Sequence, residues 1–321
     1  MSTDIPPALV LTAGMGTRLA PLNMLCAKPA VPVAGIPLVR RILNWLTAQG
    51  VSSAVLNLHH KPETITRYVG HGTESKLTIR YSWEPTILGT AGGPRRALEL
   101  LGKRFFVING DTLTNVDLQA LIRTHESSGA DVTLALIPNP APHRYGGVIV
   151  DNDGWVSGFT PAGPSAVHHF VGVQLIESSV FMSLKDGDPA ASIGGIYDTL
   201  TKRNKRAIRA HRISGSFYDI GNPADYLKTS LSIAEAEGLG TIPVGRGSNI
   251  HQTASLIRTI VWNDVVIEAD CCLIDCIVGD HVRLPRNSKY KSQVIIPSDG
   301  RMPTGPESRH GDLLLLPFDA E

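Results

Sequence analysis

Leu11-Thr12-Ala13-Gly14-Met15-Gly16-Thr17-Arg18-Leu19-Ala20-Pro21-Leu22, followed by Lys28-Pro29, is the stretch on which the reading of this chain turns. It starts at the end of an apolar run, Ala8-Leu9-Val10-Leu11, that predicts a short buried strand. A strand that runs straight into glycines marks a place where backbone approaches another group closely. The turn at Ala13, Gly14 and Gly16 can offer main-chain N–H groups to an anion, and Thr17 adds a hydroxyl. Arg18 carries a fixed-charge fork suited to phosphate, and Lys28 a second, mobile cation. Together they read as a cradle for a nucleoside triphosphate.

Two better-known phosphate loops do not fit. No lysine follows the glycines, as a Walker-type loop requires, and the third glycine of a dinucleotide fingerprint is replaced by Leu19. The longer string, with Lys28-Pro29 and Val31-Pro32-Val33 at fixed distances, resembles the signature of the sugar-1-phosphate nucleotidylyltransferases, the nucleotide-sugar pyrophosphorylases. That family usually has threonine at Asn23 and proline at Ala27, and neither difference removes a charge.

With 321 residues, the chain has room for a large α/β domain and a smaller module. Thirty Lys and Arg against 29 Asp and Glu leave no overall field that favours nucleic acid or an anionic membrane. Apolar runs of only a few residues exclude a transmembrane helix. Met1 to Pro7 shows neither a basic segment nor an apolar core of a secretory signal, so a cytoplasmic location is expected. The four cysteines do not make a disulfide framework.

Further along, strand and helix patterns alternate. Pro37 to Gln49 predicts a helix, with Val39, Ile42, Leu43 and Leu46 on one face and Gly50 at its stop. Strands are expected at 54–58, 77–83, 104–109 and 131–137, and helices at 62–69, 91–101 and 115–127. The rhythm implies a doubly wound, mostly parallel, Rossmann-like sheet. A hairpin follows around Asp151-Asn152-Asp153-Gly154, then a strand from His168 to Ile176 and a helix from Ile196 to Arg203. A last helix opens with Asn222 as cap and Pro223 at its first position, and residues 1–240 are expected to form the catalytic domain.

Residues 241–297 carry no helix pattern. Steps of six from Ile260 reach Val266, Cys272, Val278 and Leu284, and the adjacent register holds Val261, Ile267 and Leu273. About three to five such repeats resemble a truncated hexapeptide β-helix of the left-handed kind, a stub of roughly two coils. Cys271, Cys272 and Cys276 lack metal-ligand spacing and read as small apolar fillers of the coil. Such a module suits packing on the catalytic domain or on a second copy of the chain. The Gly-, Pro- and Ser-bearing stretch 298–321 reads as flexible, ending in an apolar segment, Leu313 to Leu316, docked on the body.

Two carboxylates suit a divalent metal. Asp111 ends the apolar run of Val107-Ile108-Asn109-Gly110-Asp111, where open α/β sheets bind ligands, and Asp219 stands in Phe217-Tyr218-Asp219-Ile220-Gly221. Both strings resemble the family's metal-ligand motifs in the same order, which implies Mg²⁺ on Asp111 and Asp219 and catalytic roles for Arg18, Lys28 and Asp111. The resemblance also places Leu88, Gly89 and Thr90 against base and ribose, with Glu84-Pro85 leading in, and Asn109 and Gly110 near ribose or sugar. The family's Glu-Lys-Pro, which grips the sugar phosphate, is missing after Phe159, where Thr160-Pro161-Ala162-Gly163 stands. Arg144, Gly147 and Gly172 are the residues expected at the sugar phosphate, with Arg144, His168 or His169 as the groups that could compensate for the missing lysine.

The expected activity is transfer of a nucleotidyl group from an NTP to a sugar 1-phosphate with release of pyrophosphate. GTP and mannose 1-phosphate come first, because the short β-helix most resembles mannose-1-phosphate guanylyltransferases. The alternatives are a uridylyltransferase for an amino-sugar phosphate such as N-acetylmuramate 1-phosphate, and a catalytically silent subunit that binds nucleotide-sugar. Nucleotide and sugar phosphate are the expected partners, with neither nucleic acid nor membrane, and a homo-oligomer through the β-helix is allowed for.

Overall fold

A computed structural model describes residues 5–72, 76–240, 243–300 and 308–319. Residues 1–4, 241–242 and 301–307 lie outside the described residues, and with them part of the expected leader-free start, β-helix entry and flexible tail. The chain divides into two compact units, Met1–Gly14 with Val39–Tyr218, and Met15–Leu38 with Asp219–Glu321. The cut falls inside the glycine-rich stretch.

In the first unit the elements are β1 (Ala8–Leu11), α1 (Leu38–Ala48), β2 (Ser53–Leu58), α2 (Pro62–Val69), β3 (Thr78–Trp83), α3 (Gly89–Leu101) and β4 (Arg104–Asn109). These are followed by α4 (Leu118–Ser128), β5 (Val132–Pro138), β6 (Gly147–Val150), β7 (Val156–Thr160), β8 (His168–Glu177), α5 (Tyr197–Arg203) and β9 (Ile208–Arg212). Among the described residues nine strands form one sheet, ordered β7-β6-β8-β4-β1-β2-β3, with β5 joined to β8 and β9 to β5. Pairing is parallel from β4 through β1 and β2 to β3, and β8 runs antiparallel to β4. The chain leaves β1, builds β2 and β3 on one side, and returns through α3 to β4 on the other. That reversal makes the carboxyl end of β1 a topological switch point, the place where such sheets open a crevice.

The apolar runs explain these strands. Val132 to Ile137 is buried residue after residue, as a strand covered on both faces must be. Phe105 stacks on Phe181 with ring centroids 6.1 Å apart, and buried Tyr197 donates its hydroxyl to Gln174 Oε1 at 2.8 Å. Asp117 caps α4 by accepting from Ala120 N at 3.0 Å, so it is a helix-end residue, as its position before Leu118 suggests.

The second unit holds the excursion Met15–Leu38, α6 (Pro223–Ala236) and the C-terminal coils. Asn222 Oδ1 accepts from Asp225 N at 2.9 Å at the start of α6. Tyr226 on α6 donates its hydroxyl to Pro32 O and accepts from Trp262 Nε1 at 2.8 Å, with the two rings edge-to-face. Ser230 Oγ accepts from Ala34 N at 2.8 Å.

The coils form a β-helix of three faces, each with three parallel rungs from the coil. Partners on successive rungs lie 17 residues apart, as in Arg258–Asp275. Left-handed residues mark the corners at Arg258, Asp264, Asp270, Asp275, His281, Asn287 and Ser292, in steps of six, six and five. One residue per coil is therefore missing from a strict hexapeptide period. The six-residue count from Ile260 drifts for that reason, starting at half-buried Val266 and Cys272 and ending at buried Val278 and Leu284. Cys271 and Cys276 fill the interior, and burial pushes the Cys276 thiol up to about 11; Cys272 lies outward, half-buried. The stub is three rungs deep, and Leu313–Pro317 pairs antiparallel with Gln293–Pro297. Among the described residues no helix is long and apolar enough to cross a membrane.

Two outcomes follow. Trp262→Ala removes a buried ring and leaves a buried hydroxyl short of a donor, at a cost of about 3–5 kcal/mol read by urea unfolding. His125, 1% exposed, bonds Thr133 Oγ1 at 2.8 Å and Glu177 Oε1 at 3.1 Å, and burial holds its pKa below the ordinary 6.5 despite Glu177. Its contribution to stability is full above pH 6.5 and is lost as pH falls toward and through the lower folded value. The melting temperature is expected to drop below pH 6.5, with a shallower slope in His125→Gln.

Candidate active site

Leu11 and Asn109 are paired neighbours at the ends of β1 and β4, and the chain turns out of the sheet at both. Gly110 N donates to Leu11 O at 3.0 Å, and Gly110 lies so close to that carbonyl that no side chain fits. This close approach sets Leu11 and Thr12 against Gly110, just before the glycine turn. Gly14 is exposed, with open space where a Cβ would stand, whereas Ala13 is buried. Asp111 is half-buried at the carboxyl end of β4.

On the other side of β4, strand β8 changes register between Phe170 and Gln174. Gly172 lies in that irregularity with φ +80°, and a Cβ there would come 2.7 Å from Asn109 Cβ. Gly172 thus allows Asn109 its place. Gly147 packs against Ala166 with no room for a side chain, which accounts for it by packing alone. Arg144 is exposed, and its guanidinium lies 4.9 Å from the Tyr145 ring centre. Tyr145 and His169 rings are 4.7 Å apart, and Phe217 meets His169 edge-on at 4.8 Å. His169, not His168, joins this half-buried aromatic group; burial and the charge of Arg212 hold the His168 pKa low.

The loop at Leu88, Gly89 and Thr90 opens α3. Leu88 is buried, Gly89 has φ +77°, and Thr90 accepts through its hydroxyl from Ser192 N at 2.9 Å. Ala190 O accepts from Ala91 N at 2.9 Å, so a neighbouring segment closes the helix start. Glu84, which leads into the loop, has a partner that the sequence did not reveal, Asn57. Glu84, 0% exposed, accepts from Asn57 Nδ2 at 2.7 Å and from Leu88 N at 2.8 Å; Asn57 Oδ1 accepts from Thr12 N at 2.6 Å. A polar residue inside the apolar strand Ala54-Val55-Leu56-Asn57-Leu58 was the available signal. A carboxylate buried this way costs several kcal/mol unless hydrogen-bonded, and here both oxygens are.

Gly16, Thr17, Arg18, Lys28 and Asp219 belong to the second unit. Gly16 has φ +61°, and a Cβ there would stand 3.0 Å from Lys28 Cβ, so the turn closes directly on the lysine stem. Thr17 and Arg18 are exposed in a short 3₁₀ turn, Lys28 is buried at the head of another, and Asp219 is half-buried.

Among the described residues no three His, Cys, Asp or Glu side chains cluster as a metal site. Asp111 in the first unit and Asp219 in the second each carry a hard oxygen donor of the kind Mg²⁺ takes. The donor chemistry fits that ion.

The nucleotidyl transferase family matches residues 7–236. The chain belongs to this family. It is a sugar-1-phosphate nucleotidylyltransferase of the kind that includes mannose-1-phosphate guanylyltransferases. The mannose-1-phosphate guanylyltransferase of Mycobacterium tuberculosis is 28% identical over 302 residues, covering 85% of this chain and 84% of that protein. The D-glycero-alpha-D-manno-heptose 1-phosphate guanylyltransferase of Aneurinibacillus thermoaerophilus is 32% identical over 228 residues, covering 70% of this chain and 97% of that protein. In fold, HddC from Yersinia pseudotuberculosis superposes with a TM-score of 0.62 at 24% identity, covering 71% of this chain and all of the other.

For a nucleotidylyltransferase with this geometry, Gly172→Ala is a direct probe. It forces a Cβ into a left-handed residue and onto Asn109, at about 1–3 kcal/mol of strain. Urea unfolding should read that loss, and kcat/KM should fall more than about tenfold as Asn109 is displaced.

Proposed function

We propose that this nucleotidylyltransferase joins GTP and a manno-configured sugar 1-phosphate, mannose 1-phosphate first, to give the GDP-sugar and pyrophosphate. The observation that carries the reading is the switch point itself: the turn after β1 and Asn109-Gly110-Asp111 leave paired parallel strands side by side. Base and sugar are drawn from the two relatives, both guanylyltransferases and both named for sugars of manno configuration.

A phosphate oxygen of the sugar 1-phosphate attacks the α-phosphorus, a P–O bond forms, and the bond to the β-phosphate breaks to release pyrophosphate. No protein nucleophile is needed, so positioning and charge do the catalysis. The amides of Ala13, Gly14 and Gly16, the Thr17 hydroxyl, Arg18 and Lys28 hold the triphosphate. Leu88, Gly89 and Thr90 flank the nucleoside, and Asn109 and Gly110 meet the ribose or sugar. Asp111 and Asp219 hold Mg²⁺, which when bound withdraws charge from the α-phosphate. Arg144, fixed over Tyr145, supplies the cation that the missing lysine would give the sugar phosphate, with Gly147 and Gly172 shaping that side. Self-association proceeds through the β-helix, where Ile257 is 49% exposed, and light scattering of the full chain checks it.

Pyrophosphate release across five nucleoside triphosphates and a panel of sugar phosphates decides the reading. GTP with mannose 1-phosphate should turn over fastest; turnover confined to UTP and an amino-sugar phosphate would replace it. Asp111→Asn and Asp219→Asn should each cut kcat by about a hundredfold or more with the melting temperature little changed. Lys28→Ala should lose more in kcat than in KM for nucleotide, and Arg144→Ala should raise KM for the sugar phosphate alone. Wild-type constants in these variants would remove the assigned roles.

A further inference from the structure

Glu84 is wholly buried, so it cannot touch a substrate, yet its two oxygens join segments expected to hold different parts of one nucleotide. One oxygen takes Leu88 N at the head of the base-side loop; the other takes Asn57 Nδ2. Asn57 Oδ1 in turn takes Thr12 N, and the Thr12 hydroxyl donates to Asn57 O, two residues before the exposed Gly14. The backbone repeats the link, since Glu84 N donates to Leu58 O at 2.9 Å and Glu84 O meets His59 Nδ1 at 2.8 Å. Gly93 closes the group: a Cβ there would stand 2.7 Å from Glu84 Oε1 and 3.0 Å from Asn57 Nδ2.

A helix-start N–H such as that of Leu88 needs only a carbonyl or a hydroxyl, and an apolar side chain would fill the space more cheaply than a buried carboxylate. What a carboxylate adds is two acceptors at a fixed spacing on a planar group. Asn57 then converts one of them into a grip on Thr12. We propose that Glu84 and Asn57 are a positioning pair that sets the distance between the triphosphate turn at 12–14 and the nucleoside loop at 88–90. The proposal rests on the nucleotide reading given above. The pair acts on the nucleotide, not on the sugar phosphate, and acts through Thr12 and Leu88.

Hydrogen-bond directions supply the test. In Glu84→Gln the amide can accept from Asn57 or from Leu88 but not both, and its own N–H₂ faces a donor. In the doubly substituted Glu84→Gln, Asn57→Asp chain, Gln Oε1 accepts from Leu88 N, its amide donates to one Asp oxygen, and the other accepts from Thr12 N. One carboxylate and one amide remain, exchanged. Steady-state constants and direct binding of each triphosphate by calorimetry are measured for wild type, single and double variants. Glu84→Gln is expected to raise KM and Kd for nucleotide about tenfold, with KM for sugar phosphate within twofold, and the double variant to return both to near wild type. If Glu84→Gln does not fold, the double variant carries the test by the same readings. A lower melting temperature with nucleotide KM and Kd unchanged in Glu84→Gln would overturn the proposal and leave the pair structural. So would a double variant that recovers the melting temperature but not nucleotide binding, or that does not fold. Failure of the wild-type chain to bind any triphosphate strikes the nucleotide reading and the proposal with it. Wild-type binding that Glu84→Gln leaves unchanged strikes the proposal alone.

Discussion

Parallel pairing of β1 on both sides is the constraint from which the first unit follows. A strand with β2 on one flank and β4 on the other can send its chain only outward, past the carboxyl edge. The Gly110 N to Leu11 O bond draws the exits of β1 and β4 together, which demands a residue without a side chain at 110. The two chain exits that carry the glycine turn and Asp111 thereby leave the sheet side by side. The register break in β8 extends the same economy: Gly172 takes a left-handed conformation so that Asn109 can occupy the space beside it.

The second unit meets a different problem, which is how to give a glycine-rich excursion a defined shape when it has almost no regular structure. Its support comes from α6. Ser230 satisfies Ala34 N and Tyr226 satisfies Pro32 O, while Trp262 from the first coils donates to the Tyr226 hydroxyl and packs edge-on against its ring. Gly279 keeps the coil surface open for Leu25, whose Cδ1 lies 2.6 Å from where a Cβ would stand. A short β-helix can thus serve as the foundation of a loop. Its corner residues, Asp, Asn, Ser and His among them, hold left-handed backbone that short polar side chains tolerate better than branched ones.

Charge follows the same division of labour. Asp111 and Asp219 remain half-buried, with carboxylates of the kind a hard cation takes. The carboxylate that is wholly buried, Glu84, has both oxygens committed to donors from separate segments. Arg144 lies over Tyr145, and His169 and Phe217 complete a ring cluster, in a chain with no lysine directly after Phe159.

Much of this was legible in the residues alone. Periodicity placed α1, α2, β4 and α6 within a residue or so, because each buries one face or one run and is stopped by Gly, Pro or a capping side chain. The glycine string and the two aspartate strings pointed to the family whose model matches residues 7–236. The sequence by itself also determined that a coil with a near-six period follows the last helix. Tertiary structure alone decided the rest. The 17-residue coil depends on one short face, which a local count of apolar residues averages away. That Thr90 bonds Ser192, that His169 and not His168 joins Tyr145, and that Glu84 reaches both Asn57 and Leu88 are pairings between distant residues. A sequence states which donors and acceptors exist; only the packed chain determines which of them are close enough to satisfy one another.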